Sequence, residues 1–203
     1  MGAPKTIDND LGETDHCPGF GSAAKFIATA FTEIACDCFV YDVPSVTIVE
    51  VMGRNAGYLA LWCGIANGAE DILLPEKYDY DEQKIVNHII ENRKRGKQHH
   101  IIVNAEGIGH SASMAKRIEA ATGVETRATI LGHMQRGGSP TCKDRVYAST
   151  MGALAVDLLC EGKSNRVVGY RHGDFVDDDI DEALAMQKSI PEYQYQISKN
   201  LSM

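Results

Sequence analysis

What most constrains this chain is an alternation. Short β-rich apolar runs recur between stretches whose apolar residues fall at three-and-four spacing. Residues 46–51 (VTIVEV), bounded by Pro44 and Gly53 and interrupted by Glu50, read as a buried strand. Residues 71–74, 100–104 and 126–131 read as further strands, and 166–170 as the last one. Helical patterns fill the gaps at 22–38, 55–66, 81–95 and 111–121, with Ser22 or Gly21 a candidate cap for the first and Asn55 for the second. In 81–95 the acids Asp81 and Glu82 open the segment, and Arg93, Lys94 and Arg95 close it, which suits the helix dipole. Strand-helix alternation of this kind predicts an α/β fold, a parallel sheet sandwiched between helices. Past a loop at 132–140, residues 143–161 read as a long apolar helix whose Val146, Met151, Leu154, Ala155 and Leu158 need a packing partner. Residues 178–187 and 191–201 read as short amphipathic helices.

The 203 residues suffice for one large domain, or for a domain and part of another. A net charge of −8 argues against nucleic acid and against a membrane surface. No apolar run has the length of a membrane span, and no leader is read ahead of Pro4. The six cysteines (17, 36, 38, 63, 142 and 160) have neither C-x-x-C spacing nor a disulfide-framework density, so they read as buried thiols in a reducing, cytoplasmic compartment. Met1 stands almost inside the most chemical-looking segment, and reads as a start internal to a longer reading frame.

That segment is PKTIDND, residues 4–10. Asp8 and Asp10 share a side if the loop is extended, and their repulsion would raise one carboxyl pKa toward the range of a general base. Lys5 would suit an anionic substrate and hold one aspartate ionised. The same residues would also make an Asx-rich turn with a solvated lysine. Ligands of parallel sheets gather at the carboxyl ends of strands. Met52, Gly53 and Arg54 follow one predicted strand, Glu106 and Gly107 another, and the glycine-rich 132–138 loop with His133 and Arg136 a third, with Arg127 on the strand before it. Each alone has a plain reading as a surface arginine, a helix-start carboxylate or a hinge. Together, Lys5, Arg54, Arg127, His133 and Arg136 on one rim would bind a phosphorylated compound. His16, His88, His99, His100, His110 and His172 show no metal-ligand spacing and read as surface or core residues.

PKTIDND, VEVMGRNAG, ETRATILGHMQRGGSP and the following Asp144-Arg145 pair, in this order and spacing, resemble the 6-phosphofructokinase family. The likeness covers essentially the whole chain. Lys5, where ATP-dependent bacterial members usually carry a small residue, and the segment TDHCPGFGSAAK make it most similar to the pyrophosphate-dependent branch. The resemblance implies phosphoryl transfer from pyrophosphate, or ATP, to the C1 hydroxyl of fructose 6-phosphate, with Mg²⁺. It implies Asp8 as the base, Thr6 and Asp10 positioning the phosphoryl group and its metal, and Lys5 and Arg54 neutralising charge in flight. Met52 and Gly53 would line the sugar, Glu106 would accept its hydroxyls, and Arg127, His133 and Arg136 would hold the 6-phosphate. In the family the residue matching Arg127 comes from a neighbouring subunit, so a homodimer or homotetramer is implied.

The implied organisation is a catalytic loop at 1–18, a sugar-phosphate-binding domain at 19–136, a segment returning to the donor domain at 137–182 and a helical tail at 183–203. There are departures. Ser45 stands where a second cross-subunit arginine is common. The family's GGD segment, which brings donor contacts and a metal-binding aspartate, would precede Met1. By itself this chain is therefore expected to be inactive, and the alternative reading is a non-catalytic module that binds fructose 6-phosphate. An unrelated α/β phosphate-binding protein with accidental matches is the third.

Overall fold

The structure is a computed structural model that describes residues 1–40, 43–77 and 81–201, with residues 36–39 described by backbone alone. Cys36 and Cys38, expected among the buried thiols, have side chains outside the described residues. The chain forms α1 (Phe20–Val40), β1 (Ser45–Val51), α2 (Tyr58–Asn67), β2 (Asp71–Leu73), α3 (Glu82–Lys94), β3 (His99–Ala105), α4 (Ser111–Thr122) and β4 (Glu125–Ile130). A 3₁₀ turn (Gly132–Arg136) leads to α5 (Cys142–Cys160), β5 (Arg166–Arg171), β6 (Asp174–Asp179), α6 (Ile180–Ala185) and α7 (Glu192–Leu201).

The first four strands form one parallel sheet in the order β2-β3-β1-β4. Alternation along β1 divides the core in two. Val49 and Val51 join Ile27 and Phe31 of α1 and Leu59 and Leu61 of α2 in one cluster. Val46 and Ile48 join Ile85 and Ile89 of α3 and Met114 and Ile118 of α4 in the other. Burying each such side chain is worth about 1.5–3 kcal/mol, so the two faces supply most of what holds the sheet. Glu50 lies on the second face, half-buried, and accepts the Ser111 hydroxyl at 2.5 Å. Asn104, buried beside it on β3, donates to the same hydroxyl. The α/β sandwich read from the sequence is the observed fold.

Several boundaries differ. Asn55 does not cap α2; the helix starts behind Gly57, which has no side-chain cap, and Gly64 brings it so close to β2 that an added Cβ would meet Ile72 Cδ1 at 2.3 Å. Ser22 lies inside α1 rather than at its cap. Asp81 is the cap of α3, accepting from the Gln83 N–H at 3.0 Å. The 132–140 stretch is not all loop but opens with the 3₁₀ turn. Strand β5 is not the last: β6 (174–179) pairs with it antiparallel and takes residues 178–179 from what read as a helix at 178–187, leaving α6 at Ile180–Ala185. That hairpin is held by charge, with Arg166 Nε 2.6 Å from Asp177 and Arg171 Nη1 3.1 Å from Asp178.

The apolar helix α5 finds a partner for only part of its surface. Met151 and Leu158 are buried in a third, small cluster with Val168 of β5, and Leu154 and Ala155 pack at its margin. Val146, Val156 and Leu159 are exposed. Cys17 and Cys63 are buried thiols, but Cys142 and Cys160 are exposed on α5, contrary to the sequence reading. Burial pushes both buried thiols up to about 12. Among the described residues no helix is long and apolar enough to cross a membrane.

Candidate active site

The ends of β1, β3 and β4 are level, since Val51 pairs with Ala105 and Glu50 with Ile130. The loops that follow are tied across this edge. The Glu106 N–H donates to the Val51 carbonyl at 2.9 Å, and Leu131 N–H to the Glu50 carbonyl at 3.2 Å. Glu106 Oε1 accepts the N–H groups of Gly53 at 3.2 Å and Arg54 at 2.6 Å. The carboxylate thus shapes the turn carrying the arginine. Gly53 has φ 143°, and an added Cβ would lie 2.3 Å from the Ala56 carbonyl, so no other residue fits. Arg54 has φ 56°, a left-handed backbone that costs a non-glycine residue about 1–3 kcal/mol and persists because Glu106 holds it. Its side chain is exposed.

Gln135 was not singled out in the sequence, yet it is the fastener between loops. Buried in the 3₁₀ turn, it accepts the Met52 N–H at 3.0 Å and donates to the Gly132 carbonyl at 3.0 Å. Met52 itself belongs to the core, so it offers the site backbone rather than side chain. A polar residue among glycines carries no sequence signal for such a role.

The Asp8 loop reaches this edge from elsewhere. Gly2 bridges to Val167 of β5, and Thr14 exchanges hydrogen bonds with the Tyr170 backbone at 3.0 and 3.2 Å. Lys188, beyond α6, donates to the Thr14 carbonyl at 2.8 Å. Asn9, buried with φ 54°, donates to the Asp15 carbonyl at 3.2 Å and accepts the Cys17 N–H at 2.8 Å. These ties fix the turn from which Asp8 and Asp10 project. The Asp8 N–H donates to the Thr6 hydroxyl at 3.1 Å. Its Oδ1 is buried without a hydrogen-bond partner. Burial raises the Asp8 carboxyl above its ordinary value, and the charges of Asp10 and Glu106 raise it further, against the pull of Thr6 and Arg136. The cation that draws it down is Arg136 rather than Lys5.

Beside this loop a groove of about 490 Å³ is lined by Ile7, Gly19, Ser22, Gln135, Arg136 and Asp144, among others. Asp144 is a second residue that the sequence did not mark as functional. Buried at the start of α5, it accepts His16 Nε2–H at 2.7 Å, the Ser22 N–H at 2.7 Å and the Ser22 hydroxyl at 2.5 Å. The hydroxyl in turn accepts the Thr141 N–H at 3.0 Å. The starts of α1 and α5 are thereby locked on either side of the loop carrying Arg136. His16 is a core residue, as read, and burial lowers its pKa despite the carboxylate.

Arg127 departs from the expected convergence. Three residues short of the end of β4, it pairs with Glu125 at 2.7 Å and opens on a groove of about 520 Å³ walled by Ala30, Glu33 and Ile34 of α1. Neither Asp8, Arg54, His133 nor Arg136 lines that groove. At about 3.3 Å per residue Arg127 sits roughly 10 Å back from the strand end, which is why it cannot join His133 and Arg136 within one chain. His133 is exposed on the 3₁₀ turn.

Comparison with known proteins agrees with this arrangement. A family model described as Phosphofructokinase matches residues 1–159. The chain is 47% identical over 202 residues to an ATP-dependent 6-phosphofructokinase of Clostridium botulinum (strain Loch Maree / Type A3), and 49% identical over 202 residues to ATP-dependent 6-phosphofructokinase 1 of Clostridium perfringens (strain 13 / Type A). All of this chain is covered, and it spans 62% of the length of these relatives. Among solved structures, a pyrophosphate-dependent phosphofructokinase of Marinobacter aquaeolei superposes with a TM-score of 0.83 at 29% identity, over 95% of this chain and 54% of that one. Pichia pastoris phosphofructokinase gives 0.80 at 29% identity, over 98% and 23%. A family match over residues 1–159 that takes in the aspartate loop, the Glu106-held turn and the Gln135-Arg136 segment means that the chain belongs to the phosphofructokinase family.

Proposed function

We propose that this chain carries the catalytic loop and the sugar-phosphate site of a 6-phosphofructokinase, with residues 19–136 as the sugar-phosphate-binding unit. The reaction is phosphoryl transfer from pyrophosphate to the C1 hydroxyl of fructose 6-phosphate. The observation that carries this reading is the Asp8 carboxylate: its Oδ1 is buried and unpartnered, and burial with the charges of Asp10 and Glu106 raises its pKa although Arg136 draws it down. An oxygen left without a donor in that position is suited to take a proton from a hydroxyl that the substrate brings.

The other residues divide the work. Thr6 braces the Asp8 backbone. Arg54 and Lys5, both exposed, supply positive charge to the phosphoryl group as it moves. Glu106 has committed Oε1 to the turn, leaving Oε2 for a sugar hydroxyl. His133 and Arg136 hold the 6-phosphate, while Arg127 serves the site of a neighbouring subunit in a homodimer or homotetramer. The donor set suits Mg²⁺, which takes oxygen ligands: the exposed Asp10 carboxylate would hold it with waters and phosphate oxygens, and the ion would neutralise charge on the transferred group.

Arg136→Ala should weaken fructose 6-phosphate binding by about 1.5–3 kcal/mol, the worth of a charged hydrogen bond. Calorimetry on the natural full-length protein checks this, and an unchanged affinity removes Arg136 from the site. ATP is the second reading of the donor, favoured by the names of the Clostridium relatives. Lys5→Gly separates the two: turnover with pyrophosphate should fall while turnover with ATP survives. Equal loss with both donors would show that Lys5 does not set the preference.

A further inference from the structure

We propose that Asp71, His88 and His100 form a binding site for a divalent transition-metal ion, Zn²⁺ by its donor set, that clamps β2, α3 and β3 together. In sequence these residues are 17 and 29 positions apart and show no ligand spacing. The fold assembles them. Asp71 opens β2 opposite Ile102, and His100 lies two residues before Ile102 on β3, hence on the same face. Helix α3 covers that face and brings His88.

Asp71 Oδ2 is 2.7 Å from His100 Nε2 and 3.1 Å from His88 Nδ1, and the three atoms all lie within 4.8 Å of one another. A tetrahedral ion with bonds of about 2.0–2.1 Å needs donor atoms roughly 3.3 Å apart, so small outward shifts admit it. His100 is buried, and Asp71 and His88 are partly so. Asp71 and His88 also line a cavity of about 240 Å³, which offers an entry path and room for a water as fourth ligand. Asp81 and Glu70 on its wall attract a cation, while Lys77, Lys84 and Lys199 oppose one; Lys77 and Glu70 are partly spent in pairs with Glu192 and Lys97.

Two imidazole nitrogens and one carboxylate oxygen select a borderline ion such as Zn²⁺ over Mg²⁺ or Ca²⁺, which take oxygen ligands. Along β3, His100 precedes Glu106 by six residues, or about 20 Å, so this ion is separate from the phosphoryl-transfer site and the proposal is independent of the proposed function. One feature opposes tight binding. Ligation through Nε2 puts the His100 proton on Nδ1, which is buried without a partner. Absent second-shell partners lower metal affinity by about 10- to 100-fold, so moderate affinity is expected.

The test is titration of the full-length protein with Co²⁺ and Zn²⁺, in a Cys142→Ser, Cys160→Ser background that removes the thiols exposed among the described residues. One equivalent should bind with a visible Co²⁺ absorption band, and Zn²⁺ should raise Tm. Both effects should vanish in His88→Gln and survive in His172→Gln. X-ray absorption of the Zn²⁺ complex keeps the test independent of variant folding: two imidazoles in the first shell support the site. No saturable binding, binding untouched by His88→Gln, or fewer than two imidazoles would overturn it.

Discussion

Replacing Asp8 with Asn is expected to lower kcat for phosphoryl transfer by about 10²- to 10⁴-fold, the usual worth of a general base, with fructose 6-phosphate affinity nearly unchanged. Asn keeps the shape and volume of the side chain but cannot accept the proton. The same substitution should make the fold more stable. Burial and the charges of Asp10 and Glu106 raise the folded-state pKa of Asp8 above its ordinary 3.8. A carboxyl whose folded pKa exceeds its unfolded value binds more protons folded, so stability falls as pH rises through that window and stays lower above it. Removing the ionisable group abolishes that penalty. The wild-type rate should also fall as pH drops through the raised value, as the base becomes protonated. Steady-state kinetics paired with thermal melts decide the matter. A kcat within a few-fold of wild type would deny Asp8 the role of base, and a lowered Tm would contradict the origin of its shift.

Asp144→Ala is expected to cost about 3 kcal/mol or more, because three donors, the buried His16 Nε2–H and the part-buried Ser22 N–H and hydroxyl, lose a charged acceptor and each is worth roughly 1–3 kcal/mol. Urea midpoints measure it, and a loss below about 1 kcal/mol would mean that water replaces the carboxylate. Burial pushes the Asp144 carboxyl up, but hydrogen bonds from Ser22, His16 and the Gly19 backbone outweigh it and hold it below 3.8. Its contribution is therefore present above 3.8 and lost as pH falls through the lower folded value. His16 acts earlier. Its folded pKa lies below 6.5, so the unfolded chain takes up a proton first and stability declines as pH falls below about 6.5. Because Ser22, Asp144 and Arg136 line one groove, Asp144→Ala should also weaken sugar-phosphate binding.

The parallel strands were legible to within a residue or two because short β-rich runs recur between helical patterns, most clearly in β1 and β3, whose centres are buried. Strand β6 was not, since DFVDDD is mostly acidic and pairs its carboxylates with Arg166 and Arg171 across the hairpin, with Phe175 packing on the small cluster. Hydropathy has little to detect there. In the site, Glu106 and Arg136 could be placed on one edge because strand ends set the loops that follow them, whereas the Asp8 loop follows no strand and was read from its paired carboxylates alone. Arg127 could not be placed so simply: membership of the same segment as Arg136 does not bring a mid-strand residue to the rim. Gln135, Asp144 and the pair His88 and His100 were hidden for a common reason. Their roles depend on partners 17 to 128 residues away, which spacing along the chain cannot show.

The two sheets have unequal cores, and this has a dynamic consequence. The four-stranded sheet is buried between two large clusters, whereas α5 and the β5–β6 hairpin share only Met151, Leu158 and Val168 as fully buried apolar residues. Local opening follows the density of buried apolar contact, so the hairpin should be the first region to exchange its amide protons. Through Gly2 and Thr14 the Asp8 loop is stitched by hydrogen bonds to that hairpin, while Ile7 packs against the large cluster. Asp8, the proposed proton acceptor, thus takes backbone ties from the softer of the two bodies while Glu106 and Arg136 stand on the firmer one. Breathing of a hairpin more than 150 residues away in sequence is therefore expected to loosen the loop, which hydrogen exchange at residues 6–10 in a hairpin-destabilised variant such as Val168→Ala would show.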